Sequence, residues 1–164
     1  MIMTVERPMV VDADAISCME GDVSVLSKKK APVVVTPHPG EMAGLFRVSP
    51  GEIQSDRMGY AKKLSVKHGV VSVLKGAGTI VAGNKGEIYV NPTGNSGMAS
   101  AGVGDVLTGM ISAFIGQGMS PAEAAAVGVY VHGLAGDIAL REKGKRALIA
   151  TDVIDCIPEA FRSF

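Results

Sequence analysis

The chain has 164 residues, 47% of which are hydrophobic, and its sixteen basic side chains balance sixteen acidic ones. This length and apolar content predict one domain over residues 1–164, and the charge balance and lack of tryptophan argue against a nucleic-acid partner. No apolar run is long enough to span a membrane and no signal peptide opens the chain, so we expect no membrane partner.

The first predicted strand covers residues 8–11 and ends in the acidic stretch Asp12-Ala13-Asp14. In an open α/β sheet, ligands collect at the carboxyl ends of the strands, so these carboxylates are candidates for a site. The alternative is that Asp12 or Asp14 caps the helix predicted through about residue 19. The sequence leaves both interpretations open.

A second predicted strand, over residues 32–36, is short and β-branched, as expected for a strand buried on both faces. It leads into the loop TPHPGE, where two prolines restrict the backbone around His38. Glu41 then falls in the first turn of a helix predicted to about residue 46. A lone histidine is often structural, but the rigid loop and its position after a strand favour ligand contact for His38.

Residues 49–52 read as a helix start, with a cap, a proline and a capping-box acid, and they predict a helix to about residue 67. A third apolar strand follows over residues 70–74, and further strands are predicted at 80–82 and 87–90. Between them lies the flexible turn KGAGT, from Lys75 to Thr79. Lys75 either contacts a ligand or lies in solvent at a hairpin.

The glycine-rich stretch GNSGMASAGVGDVLTG, residues 94–109, runs directly into a helix with one apolar face. That face is predicted to contain Val106, Leu107, Met110, Ile111, Phe114 and Ile115, and Gly118 and Pro121 end the helix. A helix N-terminus carries partial positive charge and unpaired N–H groups, so it attracts phosphate. Asp105 lies in the first turn, where it either caps the helix or accepts a proton beside a bound phosphate.

Two helices complete the predicted elements. The first runs from Pro121 to about residue 141, and its many small residues predict tight packing on a neighbour; its His132 is interpreted as a packing residue. The second is capped by Thr151-Asp152 and runs to about residue 161, with a break expected near Pro158.

Several well-known motifs are missing from this sequence. It contains no P-loop and no complete dinucleotide fingerprint, since the GxG at Gly102 and Gly104 lacks the third glycine. The two cysteines have no metal-ligand spacing, so we expect no metal-binding cluster of side chains and favour a reduced, cytoplasmic chain. The residues alone therefore predict a phosphate ligand at the carboxyl edge of a sheet, with Asp105 as the best candidate base.

The motifs VDAD, TPHPGE, LKGAGT, GNSGMASAGVGDVLTG and VHGLAGDIA occur in one order along the chain. In this order and spacing they resemble the ADP/ATP-dependent NAD(P)H-hydrate dehydratases of the ribokinase-like superfamily. The resemblance extends from about residue 8 to residue 161. It implies a three-layer α/β fold, with a mostly parallel sheet flanked by helices and incomplete on its N-terminal side.

The resemblance also implies an activity. The substrate would be the S epimer of hydrated NADH or NADPH, and ADP or ATP with Mg²⁺ would drive removal of the added water. Asp105 would be the catalytic base and would contact the substrate together with His38. The nucleotide would be bound by Lys75, Gly76, Ala77, Gly78, Thr79 and Gly104. The anion hole would be formed by Gly102, Val103 and Gly104.

The chain departs from the family pattern mainly in length, because it begins near the middle of the family fold. Three explanations stay open: a fragment of a longer protein, a short form that completes its sheet by oligomerising, and a separate chain that supplies the N-terminal half. Over a monomer, we expect a homo-oligomer or such a separate chain. Smaller departures are Ser96, Ser100 and Ala101, where the family commonly has proline, threonine and glycine. Two other functions stay open: a ribokinase-like small-molecule kinase, and a nucleotide-binding remnant or subunit without turnover.

Overall fold

A five-stranded sheet forms the middle layer of the computed structural model, which describes residues 2–164. The strands lie side by side in chain order, and the first three are parallel. The last three form two antiparallel hairpins, so only the fourth strand runs against the others. This confirms the mostly parallel sheet. The strands are β1 (Met9–Val11), β2 (Val33–Val35), β3 (Val71–Leu74), β4 (Ile80–Ala82) and β5 (Ile88–Val90).

Helices cover both faces of this sheet. The first group is α1 (Asp14–Ser17), α2 (Pro39–Phe46), α3 (Pro50–Ser55) and α4 (Arg57–His68). The second group is α5 (Val103–Gly116), α6 (Pro121–Lys143) and α7 (Ala150–Arg162). Each group packs into its own hydrophobic core, so the molecule has the three layers that the sequence predicts. None of these helices has the length and apolarity that crossing a lipid bilayer requires.

Strand β2 shows how the sequence divides between the two cores. Its three valines are all buried, and successive side chains in a strand point to opposite faces. Val33 and Val35 pack with α1–α4, whereas Val34 packs with α5–α7. A strand covered on both sides therefore reads as an unbroken apolar run.

The sequence predicts one continuous helix from residues 49–52 to about residue 67. The structure has two helices in this region, so that prediction is wrong. Helix α3 begins at the predicted capping box, in which Ser49 Oγ accepts from Glu52 N–H at 3.2 Å. The backbone then leaves the helical conformation at Asp56, whose Oδ1 accepts from Gly59 N–H at 2.9 Å and starts α4. A side chain that bonds the backbone ahead of it favours a new helix start over continuation. Helix α4 ends at Gly69 in the left-handed conformation.

Two boundaries near the ends of the chain also differ from prediction. The first helix ends at Ser17 instead of continuing to about residue 19. Helix α7 continues through Pro158 without the expected break. A proline removes one N–H donor, but the buried side of this helix, including Val153 and Ala160, keeps it packed on the core. The helix also starts two residues earlier, with Ile149 instead of Thr151 as its cap, and Asp152 Oδ2 accepts from Ile149 N–H at 3.0 Å.

Candidate functional site

The carboxyl ends of three parallel strands bring polar side chains to one edge of the sheet. Asp12 follows β1, His38 follows β2 and Lys75 follows β3. Because these strands run in the same direction, their ends meet. The N-terminus of α5 packs beside this edge, since Thr108 in its second turn contacts Asp12.

Lys75 is held between two carboxylates at this edge. Its Nζ lies 2.7 Å from Asp12 Oδ1 and 3.8 Å from Glu41 Oε2, and its side chain is 22% exposed. Thr108 Oγ1 donates to Asp12 Oδ2 at 2.9 Å. Burial alone would raise the pKa of Asp12, but the hydrogen bond and charge of Lys75, with hydrogen bonds from Thr108 and Thr36, lower it. Asp12 is therefore an ionised site residue, and it makes no side-chain cap on α1.

His38 both caps α2 and faces the site. Its Nδ1 accepts from the N–H groups of Gly40 and Glu41 at 3.0 and 3.1 Å, so the proton of the neutral ring lies on Nε2. Glu41 Oε2 accepts from His38 N–H at 2.6 Å, which completes a reciprocal capping box. Nε2 lies 3.6 Å from Glu41 Oε1, beyond hydrogen-bond length, so it still carries a proton that it can donate to a ligand. The structural and the ligand interpretations of His38 are thus compatible.

The glycine turn after β3 is fixed by Arg57, at the start of α4. The Arg57 guanidinium donates to the carbonyl oxygens of Leu74 and Lys75 at 3.3 and 3.4 Å, and also to that of Ala77. Lys75 N–H donates to Pro37 O at 2.8 Å, which ties this turn to the loop after β2. Sequence reasoning missed Arg57, because its partners lie 17 to 20 residues further along the chain.

The N-terminus of α5 begins at Gly102, which has φ +82°. The first N–H groups of a helix have no intrahelical partner, so that of Gly104 is available to a ligand, whereas that of Val103 donates to Ser100 O at 3.4 Å. Gly104 lies beside the charged pair, since a Cβ on it would be 3.6 Å from Lys75 Nζ and 3.8 Å from Asp12 Oδ2. Asp105 is exposed, and no hydrogen bond or ion pair to its side chain occurs within residues 2–164.

Helix α6 holds the loop that precedes α5. Asn91 Nδ2 donates to Val129 O at 3.0 Å, and Thr93 Oγ1 donates to Tyr130 O at 2.8 Å. Further along the loop, Asn95 Nδ2 and Gly94 N–H both donate to the Asp137 carboxylate at 2.9 Å. These contacts set the position of residues 91–98 against the site.

His132, also on α6, is buried and reaches the start of α5. Its Nε2 lies 3.0 Å from Val103 O. Burial lowers the pKa of His132 to about 4, and the hydrogen bond to Val103 opposes this only in part. The ring is therefore neutral at pH 7. This agrees with the packing interpretation, but the side chain also forms part of the cavity wall.

A cavity of about 770 Å³ lies at this edge of the sheet, and Asp12 and Glu41 lie outside its lining. Of the predicted site residues, it is lined by His38, Lys75, Gly76, Ala77, Gly78, Thr79, Val103 and Gly104. Gly102 and Asp105 lie outside the lining, although both are within one helical turn of Gly104. The lining also includes residues that sequence reasoning did not assign to a ligand: Asn91, Thr93, Met98 and His132. Within residues 2–164, no group of three or more His, Cys, Asp or Glu side chains is placed to hold a metal ion.

Solved structures with the same architecture place this molecule in the ribokinase-like class. It superposes on a ribokinase-like superfamily protein from Enterococcus faecalis with a TM-score of 0.72 and 28% identity, over 94% of this chain and 52% of that one. It superposes more closely on the ADP/ATP-dependent NAD(P)H-hydrate dehydratase of Bacillus subtilis, which was co-crystallised with ATP and Mg²⁺. There the TM-score is 0.88 and the identity 33%, over 99% of this chain and 57% of that one.

The chain belongs to the NAD(P)H-hydrate dehydratase family, whose carbohydrate-kinase-type model matches residues 1–159. It is 49% identical over 159 residues to a bifunctional NAD(P)H-hydrate repair enzyme of Moorella thermoacetica, covering 97% of this chain and 30% of that enzyme. It is 38% identical to the ADP-dependent (S)-NAD(P)H-hydrate dehydratase of Neisseria meningitidis, covering 90% of this chain and 51% of that enzyme. The chain thus spans between 30% and just over half of the length of these relatives.

Proposed function

We propose that this chain catalyses the ADP- or ATP-dependent dehydration of the S epimer of hydrated NADH or NADPH, which restores the reduced cofactor. One observation carries the proposal: the turn from Lys75 to Thr79 and the first turn of α5 line the same cavity of about 770 Å³. That volume suits a nucleotide-sized ligand. Family membership and the names of the relatives support the identity of the reaction.

The nucleotide phosphates would lie between Lys75 and the N-terminus of α5. The ammonium group of Lys75 offers positive charge, and the N–H groups from Gly102 to Gly104 form an anion hole at the positive end of the helix dipole. Donors fixed before the reaction stabilise the charge that develops on the transferred phosphoryl group. Arg57 supports this geometry by holding the carbonyl groups of the glycine turn.

Asp105 would act as the general base on the hydrated ring, and His38 would bind the substrate through its free Nε2. Asp105 removes the proton of the ring hydroxyl, and the hydroxyl oxygen takes the terminal phosphoryl group as its bond to the nucleotide breaks. Phosphate leaves far more readily than hydroxide. The lone pair of the ring nitrogen then expels phosphate, and loss of a proton from the adjacent carbon completes the double bond.

The chemistry of this edge of the sheet also fits Mg²⁺. In phosphate-transfer sites this ion takes one or two carboxylates and otherwise binds water and phosphate oxygens. The carboxylates of Asp12 and Glu41 converge within 4 Å of Lys75 Nζ, at 2.7 and 3.8 Å. We propose that Asp12 and Glu41 would contact the ion through water, because Lys75 Nζ already lies between the two carboxylates and neither of them lines the cavity. When bound, the ion supplies neutralisation of the phosphate charge.

The proposal also covers the location and the assembly of the protein. We propose a cytoplasmic protein whose site is completed by a second copy of the chain or by a separate chain. The open edge of β1 supports such an assembly, because within residues 2–164 this strand is paired only with β2. An unpaired strand edge is a template for another strand.

An Asp105→Asn variant tests the assignment of the base. The change is isosteric at an exposed position, so we expect unchanged folding and ADP binding, with turnover lower by about 10²- to 10⁴-fold. Binding is measured by calorimetry and turnover by recovery of the reduced-nicotinamide absorbance. Asp155→Asn, at an exposed position of α7, is the matched control and keeps full turnover. Equal turnover in Asp105→Asn removes the general-base role, and a stable phosphorylated product indicates a kinase instead.

A further inference from the structure

His132 is the one histidine that the proposed reaction leaves without a role at the cavity. It is 8% exposed and lies on α6, opposite the first turn of α5. The ring lines the same cavity as Lys75 and Gly104. The other histidines have different settings: His38 caps α2, and His68 lies at the end of α4 on the opposite face of the sheet.

The hydrogen bond to Val103 fixes the tautomer of the His132 ring. A carbonyl oxygen can only accept, so Nε2, at 3.0 Å from Val103 O, carries the proton. Since burial keeps the ring neutral at pH 7, Nδ1 carries a lone pair and is an acceptor. The neutral side chain therefore presents one donor, already used, and one acceptor.

That acceptor is free and reachable. No group in residues 2–164 donates a hydrogen bond to His132 Nδ1. The fully enclosed polar side-chain atoms without a partner in this part of the chain are Arg57 Nε, His68 Nε2 and Ser72 Oγ, and His132 Nδ1 is not among them. Because the ring lines the cavity, we expect Nδ1 to be reached from the cavity.

We propose that His132 binds the nucleotide directly, with Nδ1 accepting a hydrogen bond from a hydroxyl or amino group of the bound ADP or ATP. This deepens the proposed function and rests on it. Phosphate oxygens are largely deprotonated at neutral pH and act as acceptors, so the partner is a ribose hydroxyl or the exocyclic amino group of adenine. Through Nε2 and Val103 O, the same ring connects the nucleoside to the helix terminus that binds phosphate.

The first test reads the ring nitrogens of the unmodified protein by ¹H–¹⁵N NMR with ADP and Mg²⁺. The chain has only three histidines, so the His132 signals can be assigned by comparison with variants. We expect Nδ1 to be unprotonated in the free protein and its resonance to shift when ADP binds. An Nδ1 signal that stays in place in the ADP-saturated protein overturns the proposal, and this readout requires no folded variant.

The second test compares ADP with 2′-deoxy-ADP, 3′-deoxy-ADP and inosine diphosphate by calorimetry. The analogue that lacks the donor should bind the wild-type chain roughly two- to tenfold more weakly, and its identity distinguishes ribose from base. In His132→Gln, whose amide can still donate to Val103 O, ADP and that analogue should bind equally. His68→Gln is the control and should keep the wild-type preference. The inference fails if no analogue binds the wild-type chain more weakly than ADP, or if the same weakening persists in His132→Gln. The proposed nucleotide site is unaffected by that result, provided that ADP still binds. If the wild-type chain does not bind ADP, both fail.

Discussion

A cluster of three charged residues lies at the edge of the candidate site, and of these only Lys75 lines the cavity. Lys75 is locked between Asp12 and Glu41, and these three residues come from three separate parts of the chain. A lysine that is only 22% exposed loses much of its hydration, so the two carboxylates compensate its charge until an anionic ligand arrives. Under the proposed function, this arrangement holds the ammonium group of Lys75 in place for a nucleotide phosphate.

At the same scale, His132 should make the stability of the chain depend on pH. Its pKa is about 4 when folded, against 6.5 for an ordinary histidine, because burial disfavours the charged ring. Between these values only the unfolded chain holds the proton, so stability is full above about pH 6.5 and falls as the pH drops towards 4. The expected loss between pH 7.5 and pH 5 is about 2 kcal/mol.

Urea denaturation of wild type and His132→Gln at these two pH values checks this expectation. The wild type should lose about 2 kcal/mol more than the variant. The pKa of His68 is also lowered, by burial and by nearby Lys67 and Lys29, but His68 is present in both proteins and cancels in the comparison. The same pH dependence in the two proteins contradicts a buried neutral His132.

The sequence alone identified site residues that lie directly after a predicted strand or at the start of a predicted helix. His38 and Lys75 come directly after buried strands, and Gly104 opens a helix, so their convergence at one edge follows from parallel strands. Arg57, His132 and Asp137 could not be found in this way, because their partners lie between 17 and 43 residues away. The roles of Asp105 and Gly102 stay predictions, since both lie outside the cavity lining.

Among the helices, α6 determines the position of the loop over residues 91–98, because this loop packs directly against the α6 backbone at Gly133. A Cβ on Gly133 would lie 2.8 Å from Thr93 C and 2.9 Å from Gly94 N, closer than such atoms ever pack. Gly133→Ala should therefore push residues 91–98 outwards, weaken ADP binding and destabilise the fold by roughly 1–3 kcal/mol. Calorimetry and thermal unfolding measure the two effects.

Gly109→Ala, in the neighbouring α5, is the matched control for this prediction. A Cβ at Gly109 meets no atom within 4 Å, so the variant should be at least as stable as the wild type and bind ADP equally. If Gly133→Ala behaves like Gly109→Ala, the close approach of the loop to α6 does not shape the site.

The elements themselves were largely predictable, and the exceptions have local causes. The strands and the helices α2, α5 and α6 follow from apolar periodicity, capping boxes and proline positions. The division between α3 and α4 could not be predicted in this way, because the helical sequence pattern continues across Asp56. The side chain of Asp56 nevertheless starts a new helix by accepting from Gly59 N–H. The continuity of α7 through Pro158 depends on packing against the core. Helix propensity describes single residues and carries no information on such packing.

At the scale of the whole molecule, the open edge of β1 predicts association. Met9 N–H and Val11 O bond to the β2 side, so in a parallel pair the N–H and C=O of Val10 face outwards. We propose that residues 1–164 form one domain, since both helical layers share one sheet, and that a second strand pairs along this edge. Light scattering should give a mass above the 16.9 kDa of one chain.

Val10→Pro should block this pairing and reduce the mass to that of one chain, because proline removes the outward N–H donor. Val10→Ala removes the same side-chain packing but keeps that donor, so it should still assemble. A wild-type mass of 16.9 kDa, or an assembly that persists in Val10→Pro, contradicts pairing through β1.

The activity of the whole chain is tested most directly by incubating it with hydrated NADH, Mg²⁺ and either ADP or ATP. The reduced-nicotinamide absorbance is followed over time, with reactions lacking nucleotide as the reference. We expect recovery of this absorbance only when nucleotide is present. Absent recovery in a chain that demonstrably binds ADP would contradict it, and would identify a nucleotide-binding subunit without turnover of its own.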